Sequence, residues 1–253
     1  MSKYWTLVSC AVVLGLAAAN APAQITAKQS FAKDAMPIEL NCGDANAAPR
    51  ELRWGEATLT LTCNGSGANA PMQGRYKLGI IEAAIDLATE DPEWRPSEVL
   101  WFGNGRTFLV NGGVSPTAGQ TFIVFRTEAG ELKRGDVTGQ ARKAMYDKLA
   151  KCWSQMKKAP VFNDPGFTAF NLLGLAWLDE GRAVSVFAKV AADSRYGEAT
   201  GETMGFEIDS RSGTVLRTMT AADYKERWQP AAAWPIRVPD PVKCGKLFPT
   251  VGD

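Results

Sequence analysis

The sequence predicts an exported α+β protein: one small antiparallel sheet built from two related hairpin units, with helices on one face. Three observations carry that expectation. An apolar leader opens the chain, a Trp-x-x-x-Gly-Arg hairpin motif occurs twice, and two segments show helical spacing. Composition is that of a globular protein, with 45% hydrophobic and 22% charged residues, which argues against disorder or collagen-like order.

Residues 1–23 read as a signal peptide. Lys3 supplies the positive start, Leu7–Ala19 the apolar run, and Ala21-Pro22-Ala23 a small-x-small cleavage site ahead of Gln24. The run falls short of the roughly 20 residues that span a bilayer. Leu7-Val8-Ser9-Cys10 looks like a lipoprotein box, but the apolar run continues past Cys10. Residues 24–253 are then expected to form a single exported domain with no membrane insertion after cleavage, periplasmic or secreted. Within it, duplicated units are expected at 97–140 and 173–223.

Residues 24–50 are rich in Ala, Asn and Pro, with a short strand expected at Met36–Asn41. From Leu52 to Cys63 apolar residues alternate with threonines, the period of a half-buried strand. Asn64–Pro71 reads as a loop. Tyr76–Glu90 places Leu78, Ile81, Ile85 and Ala88 three to four residues apart, which predicts a helix closed by Asp91-Pro92. Trp101-Phe-Gly-Asn-Gly105-Arg106 then precedes a strand at Thr107–Val110, and Trp177-Leu-Asp-Glu-Gly181-Arg182 precedes one at Ala183–Ala188. Glycine supplies the positive φ of a tight turn, and the tryptophan ahead of it an apolar anchor. Each unit is followed by a polar segment with helical character, Asp136–Lys157 and Ala221–Trp228.

Lys and Arg number 28 against 27 Asp and Glu, and histidine is absent. The near-neutral balance gives no global attraction to nucleic acid. Without histidine, Ser-His-Asp and Cys-His catalysis and His-ligated zinc are excluded. Removing the leader takes Cys10 and leaves Cys42, Cys63, Cys152 and Cys244. An even set in an oxidising compartment predicts two disulfides. Three pairings are open, and Cys42–Cys63 with Cys152–Cys244 is favoured because it joins nearest neighbours. No C-x-x-C, P-loop, dinucleotide fingerprint, G-x-S-x-G or EF-hand loop occurs, so neither a metal nor a cofactor is expected.

Four sets of residues remain as candidates. Ser30-x-x-Lys33 and Ser154-x-x-Lys157 match a nucleophile–base spacing, but the companion S-D-N and K-T-G motifs are missing, so chance is the simpler reading. Glu82 and Asp86, four apart on the expected helix, would share a face as a carboxylate pair, although a solvated helix face is much the commoner explanation. Arg142, Lys143, Lys148, Lys151, Lys157 and Lys158 form a basic face able to dock an anionic partner; the bland alternative is an ordinary amphipathic helix. Trp94, Trp228 and Trp234 sit beside prolines or charges and are the better candidates among the tryptophans for the surface, where tryptophan serves recognition; filling the core is the commoner use of the residue. The expected function is a non-catalytic exported protein binding another protein or an envelope polymer, in an inhibitor, immunity-type or envelope-accessory role. The rival is a histidine-free, carboxylate-dependent hydrolase of cell-wall or extracellular polymer.

Overall fold

The computed structural model describes residues 31–44, 46–65, 67, 70–89, 91–114, 119–153, 170–191, 203–219 and 223–233. A short β1 (Met36–Pro37) precedes three successive up-and-down runs of four strands. The first run is β2 (Arg50–Trp54), β3 (Ala57–Cys63), β4 (Met72–Leu78) and β5 (Ile81–Ile85). The second is β6 (Arg95–Phe102), β7 (Thr107–Gly113), β8 (Thr121–Glu128) and β9 (Glu131–Gly135). After helix α1 (Gly139–Trp153) comes the third: β10 (Phe170–Leu178), β11 (Ala183–Val190), β12 (Thr203–Asp209) and β13 (Val215–Thr218). Each run is a separate antiparallel sheet, and β1 joins the second beside β6.

The α+β expectation is therefore wrong. The described residues form three antiparallel sheets rather than one, and among them the helices do not cover one face. The helix expected across Tyr76–Glu90 is the hairpin β4–β5. Leu78 and Ile81 are three apart because they face each other across a two-residue turn, Gly79-Ile80. Gly79 takes the left-handed φ of 57° that such a turn requires of its first residue. A hairpin thus reproduces the spacing of a helical face. The strand read across 52–63 is likewise a hairpin, β2–β3, folded at Gly55-Glu56.

The sheets are stacked, and the strand sequences explain the order. In β3 the residues Ala57, Leu59 and Leu61 point inward while Thr58, Thr60 and Thr62 point out, so the first sheet keeps one wet face. Strands β7 and β8 instead carry continuous apolar runs, Phe108-Leu-Val110 and Phe122-Ile-Val-Phe125, because the second sheet is buried on both faces. Its Val99, Trp101, Phe108, Val110, Ile123 and Phe125 pack against Leu59, Leu61 and Tyr76 of the first sheet. Phe108 stacks between Tyr76 and Phe125 at centroid distances of 5.4 and 5.0 Å. The opposite face, with Leu100, Leu109, Phe122 and Val124, packs against Leu172, Val184, Val186, Phe206 and Ile208 of the third sheet. Ala141 and Met145 of α1 close that second core at its side.

The outer face of the third sheet is covered by both ends of the described chain. Trp228 lies in a short helical segment, Tyr224–Trp228 with Gln229–Ala231, and packs edge-on to Phe187 beside Leu173, Leu175 and Phe31. The strap at Phe31–Lys33 holds this segment: the Lys33 N–H donates to Ala231 and the Ala233 N–H to Phe31, at 2.8 and 3.0 Å.

Cys42 and Cys63 form a disulfide, tying the β1–β2 connection to the end of β3. Cys152 and Cys244 lie outside the described side chains, as do residues 1–30, where the leader is expected. Among the described residues no helix is long and apolar enough to cross a membrane.

The tightest packing is at Gly205 in β12, where a Cβ would fall 1.1 Å from Trp228 Cη2. Gly205→Ala is expected to displace the indole and destabilise the protein by about 1–3 kcal/mol, the usual cost of overpacking. Urea unfolding followed by tryptophan fluorescence checks this. An unchanged midpoint would show that the cover of the third sheet is loose.

Candidate functional site

A groove of about 860 Å³ opens at the end of the first sheet. One wall is the end of β3 and the start of β4, with Thr60, Thr62, Met72, Gln73 and Arg75. The other is the β5–β6 connection, from Ala84 through Asp86, Leu87, Thr89 and Asp91 to Trp94 and Arg95. Two local devices shape that connection. Asp86 Oδ1 accepts the Ala88 N–H, and Asp91 Oδ1 accepts the Glu93 N–H, at 2.9 and 2.8 Å; such Asx turns bend a chain without secondary structure. Arg134 of β9 then grips the arm, donating to Asp86 Oδ2 at 2.7 Å and to the Ala88 carbonyl at 2.5 Å.

Trp94 closes the inner end of the groove. It is 4% exposed and belongs to the core between the first two sheets. Its indole lies on Gly112 of β7, where a Cβ would fall 2.4 Å from Trp94 Cζ2. Trp228 is 0% exposed. Both were candidates for the surface, and the core alternative holds for them, since their flanking prolines and charges mark element ends rather than exposed loops. Trp234 lies outside the described residues.

Glu82 and Asp86 do not converge. They lie on and just beyond β5, where four residues of strand separate them by about 13 Å. Each has its own cation: Arg75 donates to Glu82 and Arg134 to Asp86, both at 2.7 Å. The shared helical face vanishes with the helix. On α1, Arg142 is a structural brace, donating to the Phe170 carbonyl and to Thr121 Oγ1 at 3.0 Å each. Lys143 is exposed and paired with Asp147 one turn on. The side chains of Lys148 and Lys151, and Lys157 and Lys158 entirely, are outside the described set. Of the two Ser-x-x-Lys motifs, only Lys33 is described, and it is exposed on the strap.

A second cluster was not anticipated. Glu98 of β6 and Asn111 of β7 are both 0% exposed on the face of the second sheet that meets the third. Asn111 accepts the Gly174 N–H at 2.9 Å and donates to the Gly174 carbonyl at 2.8 Å and to Glu98 Oε1 at 2.6 Å. Glu98 also accepts the N–H groups of Phe31 and Ala32, at 2.6 and 3.0 Å. The sequence held a signal for both: Glu98 precedes Val-Leu-Trp and Asn111 follows Phe-Leu-Val, a polar residue adjoining each buried run. Burial pushes the Glu98 carboxyl up from 4.5 to about 7, against hydrogen bonds from Asn111, Ala32 and Phe31 that favour its charged form.

Among the described residues no three His, Cys, Asp or Glu side chains gather in a way that could hold a metal ion. The sequence matches no protein-family model and no curated protein.

The raised carboxyl sets a pH dependence. Between pH 4.5 and 7 the folded protein keeps a proton on Glu98 that the unfolded chain has lost. This contribution is fully present below pH 4.5 and is lost as pH rises to 7. Its span is on the order of 3 kcal/mol. Glu98→Gln should remove this slope, so the wild-type stability minus that of the variant should fall across the window in urea titrations. A constant difference would place the carboxyl at its ordinary value. Glu98→Ala leaves three donors facing a void and should unfold more readily than Glu98→Gln at every pH.

Proposed function

We propose that the protein is an exported, non-catalytic binder of another macromolecule and that the groove beside β4 is its contact site. The observation that carries this reading is the state of the groove's carboxylates. Asp86 is paired with Arg134, and Asp91 accepts the N–H of Glu93 in its own turn, so both carboxylates are already engaged. Carboxylate hydrolysis asks for two acids converging on a bond, one of them displaced in pKa. The described acid that does stand well above its ordinary range, Glu98, is sealed between two sheets. A largely apolar cleft, with Met72, Ile85, Leu87 and Trp94 beside a few threonine, glutamine and charged side chains, suits holding a partner rather than cleaving one.

Export is supported by two features: a Cys42–Cys63 disulfide, which persists in oxidising compartments, and a leader-like first segment.

The test uses the protein secreted from the full-length gene, immobilised and exposed to an envelope extract. Ala84→Trp fills the groove from an exposed position. Lys143→Glu alters a remote exposed side chain and serves as control. A partner retained by wild type and the control but lost with Ala84→Trp supports the reading. Time-dependent release of soluble fragments from wall polymer would replace it with the hydrolase.

A further inference from the structure

We infer that the groove is a strand-addition site: one extended, uncharged stretch of a partner polypeptide lies in the fork between β4 and β5, hydrogen-bonded to the main chain of Met72. This rests on the binding reading above and names the chemistry of the occupant.

The two ladders of β4 have different lengths. The β3–β4 ladder runs on to Cys63↔Met72, whereas the β4–β5 ladder stops at Gly74↔Ile85. The Asn64 N–H donates to the Pro71 carbonyl at 2.8 Å, so Pro71 faces β3. In an antiparallel ladder successive residues turn their N–H and C=O to opposite sides. Met72 therefore turns its pair away from β3 and into the fork. Had the β5 ladder continued, Leu87 would lie opposite Met72. It does not, because Arg134 draws residues 86–88 toward β9. The space so opened is the groove itself, with Met72 and Gln73 on one side and Asp86, Leu87 and Ala88 on the other.

The lining defines the occupant. Arg75 and Arg95 balance Asp86 and Asp91, so the groove has no net charge to match. Arg75 is also held by Glu82, and Asp86 by Arg134. A charged side chain entering here would give up water and find Arg75 and Asp86 already paired, Asp91 bonded to its own turn and Arg95 to main-chain carbonyls. A strand laid along β4 alternates its side chains between the two faces of the sheet. One residue would point inward toward Met72, Leu87 and Trp94, and its neighbours outward toward Thr62 and Gln73. The expected motif is a single apolar residue between neutral polar ones. A glycan lacks the N–H and C=O spaced to meet both groups of Met72, so a peptide is favoured.

Random decapeptides displayed on phage can be selected against the protein secreted from the full-length gene. The strongest sequences are then synthesised with and without N-methylation at the central residue. Selected peptides should share an uncharged polar–apolar–polar core, and N-methylation should weaken binding about tenfold, the scale of one lost main-chain hydrogen bond. Amide exchange by NMR reads the site without mutation. The Met72 amide should exchange freely in the isolated protein and become protected with peptide, while the Gln73 amide, bonded within the β3–β4 ladder, stays protected throughout. Met72→Pro removes the groove-facing donor but no β3 hydrogen bond, and should weaken binding about tenfold, whereas Met72→Ala, which also loses the side chain packed on the core but keeps the donor, should bind more tightly than Met72→Pro. A Met72 amide already protected in the free protein overturns the proposal, as does failure to select any peptide. Peptides that bind without protecting Met72, or capture of polysaccharide alone, also overturn it while leaving macromolecule binding intact. Absence of any groove-dependent partner in the envelope extract would remove that broader reading as well.

Discussion

The side-chain amide of Asn111 stands in for a neighbour that the third sheet lacks. β10 lies at the edge of its sheet, and an edge strand presents unmatched N–H and C=O groups. At Gly174, where the β10–β11 register shifts, Asn111 supplies both a donor and an acceptor, as a strand partner would. Two residues earlier the Leu172 N–H donates to the Gln120 carbonyl just ahead of β8. The second and third sheets are thus joined by directional bonds as well as by apolar contact. Hydrophobic burial alone is non-directional and would tolerate sliding of one flat layer on another. The polar bonds fix where the layers sit.

That join lies inside a larger layered logic. The first sheet is wet on one face, the second is dry on both, and the third is dry only because Phe31 and the segment around Trp228 lie over it. The aromatic stack of Tyr76, Phe108 and Phe125 crosses the first interface, while Leu172, Val184 and Val186 with the rings of Phe122 and Phe206 fill the second. The polar join is made at Gly174, whose lack of a side chain lets backbone and amide approach closely. The groove belongs to the other interface, at the point where β5 leaves its neighbour and the layers part.

Much of this was legible in the sequence, and the losses have definite causes. The alternation of β3, the turns after Trp101 and Trp177, the helix at α1 and the Cys42–Cys63 pair all declare themselves locally. The β4–β5 hairpin did not, because apolar residues flanking a two-residue turn imitate one turn of helix. Three sheets looked like one because stacking is a long-range property, yet the continuous runs of β7 and β8 were its mark: a strand with one wet face alternates. The surface reading of Trp94 and Trp228 failed because flanking prolines and charges describe the backbone around a residue, not where its side chain goes. The groove escaped notice because it is made where two ladders differ in length, and strand length is what sequence patterns define least well.

The strap at Phe31–Lys33 has a bearing on how the molecule comes into being. It is among the first described segments to leave the ribosome, and its main partners, Ala231 and Ala233, are among the last. Until they arrive, the outer surface of the third sheet, with Leu173, Leu175 and Phe187, has no roof. The first two sheets can therefore close in order of synthesis, but the cover of the third waits for residues 224–233. An interrupted chain would present that bare apolar surface, the kind of signal by which quality-control machinery distinguishes the unfinished from the complete.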